Sequence, residues 1–238
     1  MTSIRSCNTI EFDLRDQEKT TQSTVVIDRL TLAGYTGRNP KKVEQHIAEL
    51  EDIRVPRPRS TPSFYSIPTR LLTTASKIQV NRNYTSGEVE GVLFSLPNGL
   101  HLGVGSDHTD RKLERFNIAL SKQVCAKPIG SELWHIDNIS SHWDELVLRS
   151  FVVNGKEREL YQEGSLVEIL KPQDLIERYI EQGEKLTVGS VLFCGTIPTR
   201  GQVNYANEFA IELFDPVLNR KISHQYKIEV AAQVKREI

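Results

Sequence analysis

Three acidic side chains carry the densest chemical signal in the chain. Glu88 and Glu90 stand two apart in Ser86-Gly87-Glu88-Val89-Glu90-Gly91-Val92-Leu93-Phe94, a stretch that reads as a strand. Strand residues at i and i+2 project from one face. Two carboxylates side by side repel unless a cation or a proton is shared between them. Val89, Val92 and Phe94 imply that the strand is at least partly buried. Pro97-Asn98-Gly99 then marks a turn, and Leu100 to Gly105 runs back antiparallel toward Asp107. Three carboxylates gathered in this way, with positions left for water or substrate, suit one hard divalent ion, Mg2+ or Mn2+. No His or Cys falls at ligand spacing, which disfavours zinc. Taken alone, a Glu-x-Glu pair reads more readily as an exposed pair on a solvated strand face. The returning Asp107 shifts that balance modestly.

The elements that must position these residues are legible in outline. Residues 8–15 alternate as a strand, 16–23 read as a polar turn or short loop, and Val25 to Ala33 read as a second strand. Asn39 and Pro40 have the types of a cap and first helical residue. The helix they open carries Val43, Ile47 and Leu50 on one stripe, with His46 and Glu49 neighbours on its flank. Val55 to Pro68 holds four prolines and is expected to be an irregular crossing loop. Residues 76–106 read as consecutive strands, and Asp107 to Lys122 as a helix capped by Ser106 or Asp107. Ser131 to Trp134 and Glu145 to Val153 read as strands. Pro172 to Gln182 is predicted to be a short helix, with Leu175, Ile176, Tyr179 and Ile180 inward and Gly183 as its stop. Val191 to Cys194, Glu208 to Leu213 and Ile228 to Ala232 complete the strands. The total is a strand-rich α+β chain with about three short helices, built on packed or rolled sheets.

Composition narrows the function class. The chain has 238 residues, enough for one domain with a substantial core, so 1–238 is expected to be a single catalytic domain. Within it, 1–24 reads as an N-terminal strand or extension and 39–52 as a possible lid helix. A formal net charge of −1 argues against a general nucleic-acid binder. No apolar run approaches the roughly 20 residues of a membrane span, and the N-terminus lacks the apolar region of a signal peptide. Cys7, Cys125 and Cys194 are far apart and odd in number, which fits free thiols in a reducing cytoplasm.

Several segments together resemble the fumarylacetoacetate hydrolase superfamily in its short single-domain form. Within that superfamily the chain is most similar to a group of uncharacterised prokaryotic proteins of unknown function. Leu32-Ala33-Gly34-Tyr35 followed by His46-Ile47-Ala48-Glu49-Leu50 resembles the family's opening strand and lid helix with its H-x-x-E. Glu88-Val89-Glu90 resembles the metal-binding E-x-E, and Gly105-Ser106-Asp107-His108-Thr109-Asp110-Arg111 its N-D-x-S-A-R, with Asp107 as third ligand. Lys122, followed by Lys127-Pro128-Ile129-Gly130, resembles the lysine before a P-L-G-P-like turn. Tyr161-Gln162-Glu163-Gly164-Ser165 resembles R-Q-D-G-N/S, and Gly189 to Thr196 the G-D-V-I-L-T-G-T strand. Each segment is weak alone, but their shared order over residues 26–232 is specific. The chain departs from the pattern in a shorter stretch between Glu90 and Asp107. It also has Glu114 where many members have Gln, and a prolyl loop (Ser63 to Pro68) without the usual lysine.

The resemblance implies a mixed β-roll of the family's C-terminal-domain type, usually a homodimer. It also implies metal-assisted chemistry on 2-oxo or 1,3-dicarbonyl carboxylates: C–C hydrolysis, decarboxylation, isomerisation or hydration. An ion at Glu88, Glu90 and Asp107 would polarise a substrate carbonyl. His46, oriented by Glu49, would activate a water, or else the pair is a plain solvent-exposed contact. Lys122 would stabilise a developing oxyanion, or else it is a solvated charge. Arg111 would pair with a metal-ligand or substrate carboxylate, or else with Glu114 or Glu163. Gln162 and Thr196 are candidate hydrogen-bond donors to substrate, otherwise a loop polar residue and a strand-end cap. His108, His101, His135, His142 and His224 receive no role, and Cys125 and Cys194 read as inert buried thiols. A non-catalytic small-molecule-binding protein on the same fold is the reading from another class.

Overall fold

The computed structural model describes residues 7–16, 19–52 and 55–232. Its strands in chain order are β1 (Asn8–Asp16), β2 (Lys19–Ile27), β3 (Arg29–Gly34), β4 (Ser63–Ile67), β5 (Leu72–Thr73), β6 (Lys77–Val80), β7 (Thr85–Ser86), β8 (Val89–Leu96) and β9 (Gly99–Ser106). They continue as β10 (Thr109–Asp110), β11 (Lys127–Pro128), β12 (Glu132–His135), β13 (Val147–Asn154), β14 (Glu157–Ser165), β15 (Ser190–Thr196), β16 (Glu208–Asp215) and β17 (Arg220–Val230). The helices are α1 (Pro40–Asp52), α2 (Arg111–Glu114), α3 (Ile118–Gln123) and α4 (Pro172–Glu181).

Eight strands form one mixed sheet in the order β2-β1-β12-β9-β8-β15-β3-β4, and five form a second in the order β14-β13-β16-β17-β6. Most neighbours run antiparallel; β1/β12, β15/β3 and β17/β6 are parallel. The centre of the large sheet is buried on both faces, which explains the near-continuous apolar runs of β8 and β15. Leu93, Leu102, Val104 and Leu192 point into a core shared with Leu148, Ile211, Leu213 and Ile222 of the second sheet. Val92, Phe94, Val191 and Phe193 point the other way. There they join Ile10, Phe12, Val25 and Ile27 from one edge of the sheet and Leu30, Leu32 and Ile67 from the other. Residues from both edges meet in one cluster, so the large sheet is rolled around it. The expected strand-rich mixed roll with few helices is the fold observed.

Several local expectations need correction. The polar stretch 16–23 is not a loop throughout: strand β2 begins at Lys19, pairing residue for residue with β1. The second strand is two, broken at Asp28, because β2 and β3 join different edges of the sheet. The proline-rich segment ends in a regular strand, β4, where the proline-free Ser63–Ile67 pairs with β3. No single helix runs from Asp107 to Lys122. Thr109 and Asp110 pair with β7, Asp110 caps α2 through the Lys112 and Leu113 amides, and Asn117 caps α3 through Leu120. Two competing caps divide what apolar spacing alone would join. Tyr161 to Ser165 lie in β14, not in a loop. The last strand starts at Arg220, earlier than the expected Ile228. On α4, Leu175 and Tyr179 are buried as expected, but Ile180 is exposed.

One irregularity of the large sheet lies beside Glu90, the cross-strand partner of Thr196. The β8/β15 register shifts between Phe193 and Thr196, and Gly195 within the shift has φ +96°. A Cβ there would stand 1.9 Å from Thr36 Oγ1. Gly195→Ala should therefore destabilise the fold by about 2–4 kcal/mol, combining left-handed strain with overpacking. Chemical denaturation of the two proteins measures it; an equal midpoint would show that this bulge can relax.

Candidate active site

The β8/β9 hairpin builds the acidic cluster by register. Glu90 lies opposite Gly105, Val89 opposite Ser106, and the Asp107 N–H donates to the Glu88 carbonyl at 2.9 Å. Asp107 is thereby the cross-strand neighbour of Glu88, and the pleat puts Glu90 on the same side. Oxygens of Glu88, Glu90 and Asp107 lie within 4.8 Å of one another. Glu88 and Glu90 face a cavity of about 1100 Å3 whose walls include Gly34, Tyr35, Tyr65, Glu114, Lys122 and Gly195. Helix α1 closes one side with Val43, His46, Glu49 and Leu50.

Glu90 and Asp107 are almost fully buried, yet their charges are handled differently. Asp107 is held by two ammonium groups: Lys122 contacts Oδ2, and Lys127 lies 3.1 Å from Oδ1. Burial works against its ionisation, but the two lysines win and hold the carboxyl below its ordinary range. Lys122 itself is raised: burial opposes, and Asp107, Glu88 and Glu114 together prevail. Lys127 shifts the other way, because its burial outweighs the pull of Asp107. Glu88 is paired with Arg111 at 2.9 Å. Glu90 has no ion-pair partner among the described residues. One of its oxygens accepts the Gly195 N–H at 2.7 Å. Burial first, and the Asp107 charge second, push its carboxyl well above its ordinary value.

The donor set fits a hard divalent cation. All three candidate ligands are carboxylates, their oxygens lie within 4.8 Å of one another, and one of the two buried members, Glu90, has no ion-pair partner among the described residues. An ion at that point would reverse the forces that now oppose Glu90 ionisation.

The other expected residues divide into two groups. His46 and Glu49 reach the cavity wall, but both are well exposed on α1, with 3.8 Å between Nδ1 and Oε2; Glu49 also accepts from Gln45. Arg111 is fully engaged within the protein: Glu88, Glu114 and the Ser86 hydroxyl take its guanidinium. Of the pairings expected for it, those with a metal-ligand carboxylate and Glu114 are observed. Glu163 instead pairs with Arg149 and Arg200. Gln162 is completely buried, and both its N–H bonds are spent on Thr196 Oγ1 and the Ile197 carbonyl. Its oxygen accepts from the Val89 amide and the Ser150 hydroxyl. Thr196 in turn donates to the Val89 carbonyl. Gln162 and Thr196 therefore brace the backbone between the two glutamates, and their donors are not open to a substrate.

Some neighbours were missed from sequence. Lys127 looked like part of a turn motif, yet it is completely buried beside Asp107 and donates to the His108 carbonyl at 2.6 Å. His108 bridges Tyr226 Oη (3.1 Å) and Thr85 Oγ1 (2.8 Å). Burial, then Lys127 and Arg111, press it down to about 3, so it is a neutral imidazole in the wall behind Asp107. Tyr35 was read only as the end of a motif, and Tyr65 only as part of the expected crossing loop. Both face the cavity, and burial pushes the Tyr35 phenol up to about 12. Cys125 and Cys194 are buried thiols pushed up by burial, as expected of inert cysteines. No helix among the described residues is long and apolar enough to cross a membrane.

Residues 33–226 match a protein family described as protein of unknown function (DUF2848). The chain belongs to this family. The DUF2848 chain matches no curated protein. Its fold is that of fumarylacetoacetate hydrolase family proteins. A candidate fumarylacetoacetate isomerase/hydrolase from Oleispira antarctica superposes with TM-score 0.65 at 16% identity, covering 92% of this chain and 100% of that one. The yeast protein ynq8, a fumarylacetoacetate hydrolase family protein, gives 0.62 at 17% identity over 87% and 95%. A 2-keto-3-deoxyarabinonate dehydratase gives 0.61 at 13% over 92% and 86%.

The missing countercharge at Glu90 has a measurable consequence. A buried carboxyl held above its ordinary value favours folding only where it is protonated. That contribution fades as pH rises from the carboxylate range. In metal-free protein, Glu90→Gln should remove this loss and be about 1–3 kcal/mol more stable than wild type at pH 8, with the gap closing toward pH 4. Saturating Mn2+ should raise the wild-type melting temperature and leave the variant's unchanged. Thermal melts across pH, with and without Mn2+, measure both.

Proposed function

We propose that the protein is a divalent-metal-dependent hydrolase or lyase that cleaves a carbon–carbon bond in a small 2-oxo or 1,3-dicarbonyl carboxylate. The observation that carries the proposal is the convergence of Glu88, Glu90 and Asp107, with the two glutamates lining a cavity large enough for such a substrate. A Mg2+ or Mn2+ ion held there supplies a Lewis acid for a carbonyl oxygen. The chain's own residues supply the rest. Lys122 offers an ammonium at the floor for negative charge. Tyr35, held protonated at neutral pH, can donate a hydrogen bond from the wall. His46 and Glu49 sit on the α1 rim and would take a proton from water only if that helix closes over the substrate.

Decarboxylation, hydration or isomerisation at the same site is the second reading. It is favoured by the exposure of His46, because decarboxylation needs no water-activating base. The two readings separate in a screen of acylpyruvates, oxaloacetate and unsaturated 2-oxo acids with Mg2+ or Mn2+. Turnover should fall by about 10³-fold or more in Glu88→Ala, with Glu90→Ala as the blank. If the reaction is hydrolytic, His46→Ala should cost about 10²–10⁴-fold in kcat. If it is a decarboxylation, His46→Ala should cost far less. Metal-dependent turnover that survives in Glu88→Ala would remove the acidic cluster from the chemistry.

A further inference from the structure

We propose that Lys122 is a built-in competitor for the metal position: a divalent ion entering the cluster displaces its ammonium, which then turns into the cavity to meet an anionic substrate. The inference rests on the metal reading above and adds an order of events to it.

The geometry is specific. The Lys122 ammonium contacts Asp107 Oδ2 and lies 3.8 Å from Glu88 Oε2. These carboxylates are two of the three that would hold the ion, and their oxygens and Glu90's lie within 4.8 Å of one another. An ammonium resting against both and a divalent ion bound by both would be two like charges in one small, poorly screened space. One of them has to leave.

The surroundings decide which lysine can move. Lys127 also touches Asp107, from its Oδ1 side. It is completely buried, is not part of the cavity wall, and is tied to the His108 carbonyl at 2.6 Å. It is a fixed countercharge. Lys122 has no such tie: its ammonium meets the Asp107 and Glu88 carboxylates. It sits near the end of α3, a helix of six residues, and its side chain already forms part of the cavity wall. Tyr35, Tyr65 and Glu114 lie close enough to feel or exert its charge, and all three border the same cavity. A displaced ammonium therefore has polar company to turn toward. Metal would bind first, at reduced affinity, and the anion second.

Two measurements on the full chain test this. In calorimetry with Mn2+, Lys122→Met should bind about tenfold or more tightly than wild type, with Lys122→Gln alike, because the competing cation is gone. In wild-type protein, acetylation of Lys122 by an amine-reactive reagent, read by mass spectrometry, should rise several-fold at saturating Mn2+. Lys127 should stay unmodified, and Glu90→Gln should show no rise. Equal or weaker Mn2+ binding by the folded Lys122 variants would overturn the inference while leaving the metal site standing. So would Lys122 labelling that does not respond to bound Mn2+, even beside tighter binding, since that result reports charge alone. If Lys122→Met does not fold, the wild-type labelling decides. Absence of Mn2+ binding in wild type and variants alike would overturn the metal reading and this inference together.

Discussion

Carboxyl groups taken out of water are the constraint around which this structure is arranged. Glu90 and Asp107 are almost wholly inaccessible, and Glu88 is only partly open. Such groups stay charged only where cations or N–H donors replace the lost solvent. The chain supplies Lys122 and Lys127 to Asp107 and Arg111 to Glu88, but only a backbone amide to Glu90, whose carboxyl is held well above its ordinary value. Every supplier except Lys122 is itself held. Arg111 is fixed by Glu114 and Ser86, Lys127 by a carbonyl, and Gly195 by a backbone conformation that a side chain would obstruct. The cluster is a network, and its members make sense only together.

The sheets make that network possible. A strand buried on both faces can carry apolar residues along most of its length and still deliver two glutamates where it begins. In β8 the apolar run from Val92 to Phe94 anchors both cores, while Glu88 and Glu90 stand at the strand's open end. Gln162 secures that end from the second sheet, bonding across to the backbone of both β8 and the chain following β15. The acidic floor thus inherits the rigidity of two cores. Helix α1 contributes only Ile47 to the buried interior and stands over the cavity as a looser wall.

Sequence made the floor legible and left most of its support obscure. Glu-x-Glu, a turn and a returning aspartate follow from strand periodicity and hairpin arithmetic, because both are local rules. The bridging of Asp107 by Lys127 is not local. Lys127 sits in the two-residue strand β11, placed by pairing with β5, more than fifty residues earlier in the chain. The bracing role of Gln162 was hidden for a related reason: its segment was not seen as a strand, so its inward direction could not be inferred. Asp110 and Asn117 are both strong N-cap types, but which candidate starts a helix is decided only by the cap bonds the fold lets them make. The roll itself could be expected from strand content, but which edges meet depends on apolar clusters assembled from distant segments.

Charge balance links this architecture to an order of binding. Around the floor, the acids Glu88, Glu90, Asp107 and Glu114 face the bases Lys122, Lys127 and Arg111. In metal-free protein the Glu90 carboxyl is held well above its ordinary value, so three ionised acids face three cations and the floor is close to neutral. A divalent ion bound there, with Glu90 giving up its proton, would leave one positive charge in excess. That charge is strongly felt at such short range, because the cluster is shielded from water. The floor would therefore gain its attraction for the proposed carboxylate substrate only when the metal arrives. Glu114 is part of this balance. A neutral amide in its place would leave the metal-free floor already positive. On the proposed function, metal and substrate would thus be coupled through electrostatics that the fold has already fixed, with no need for a change in the sheets.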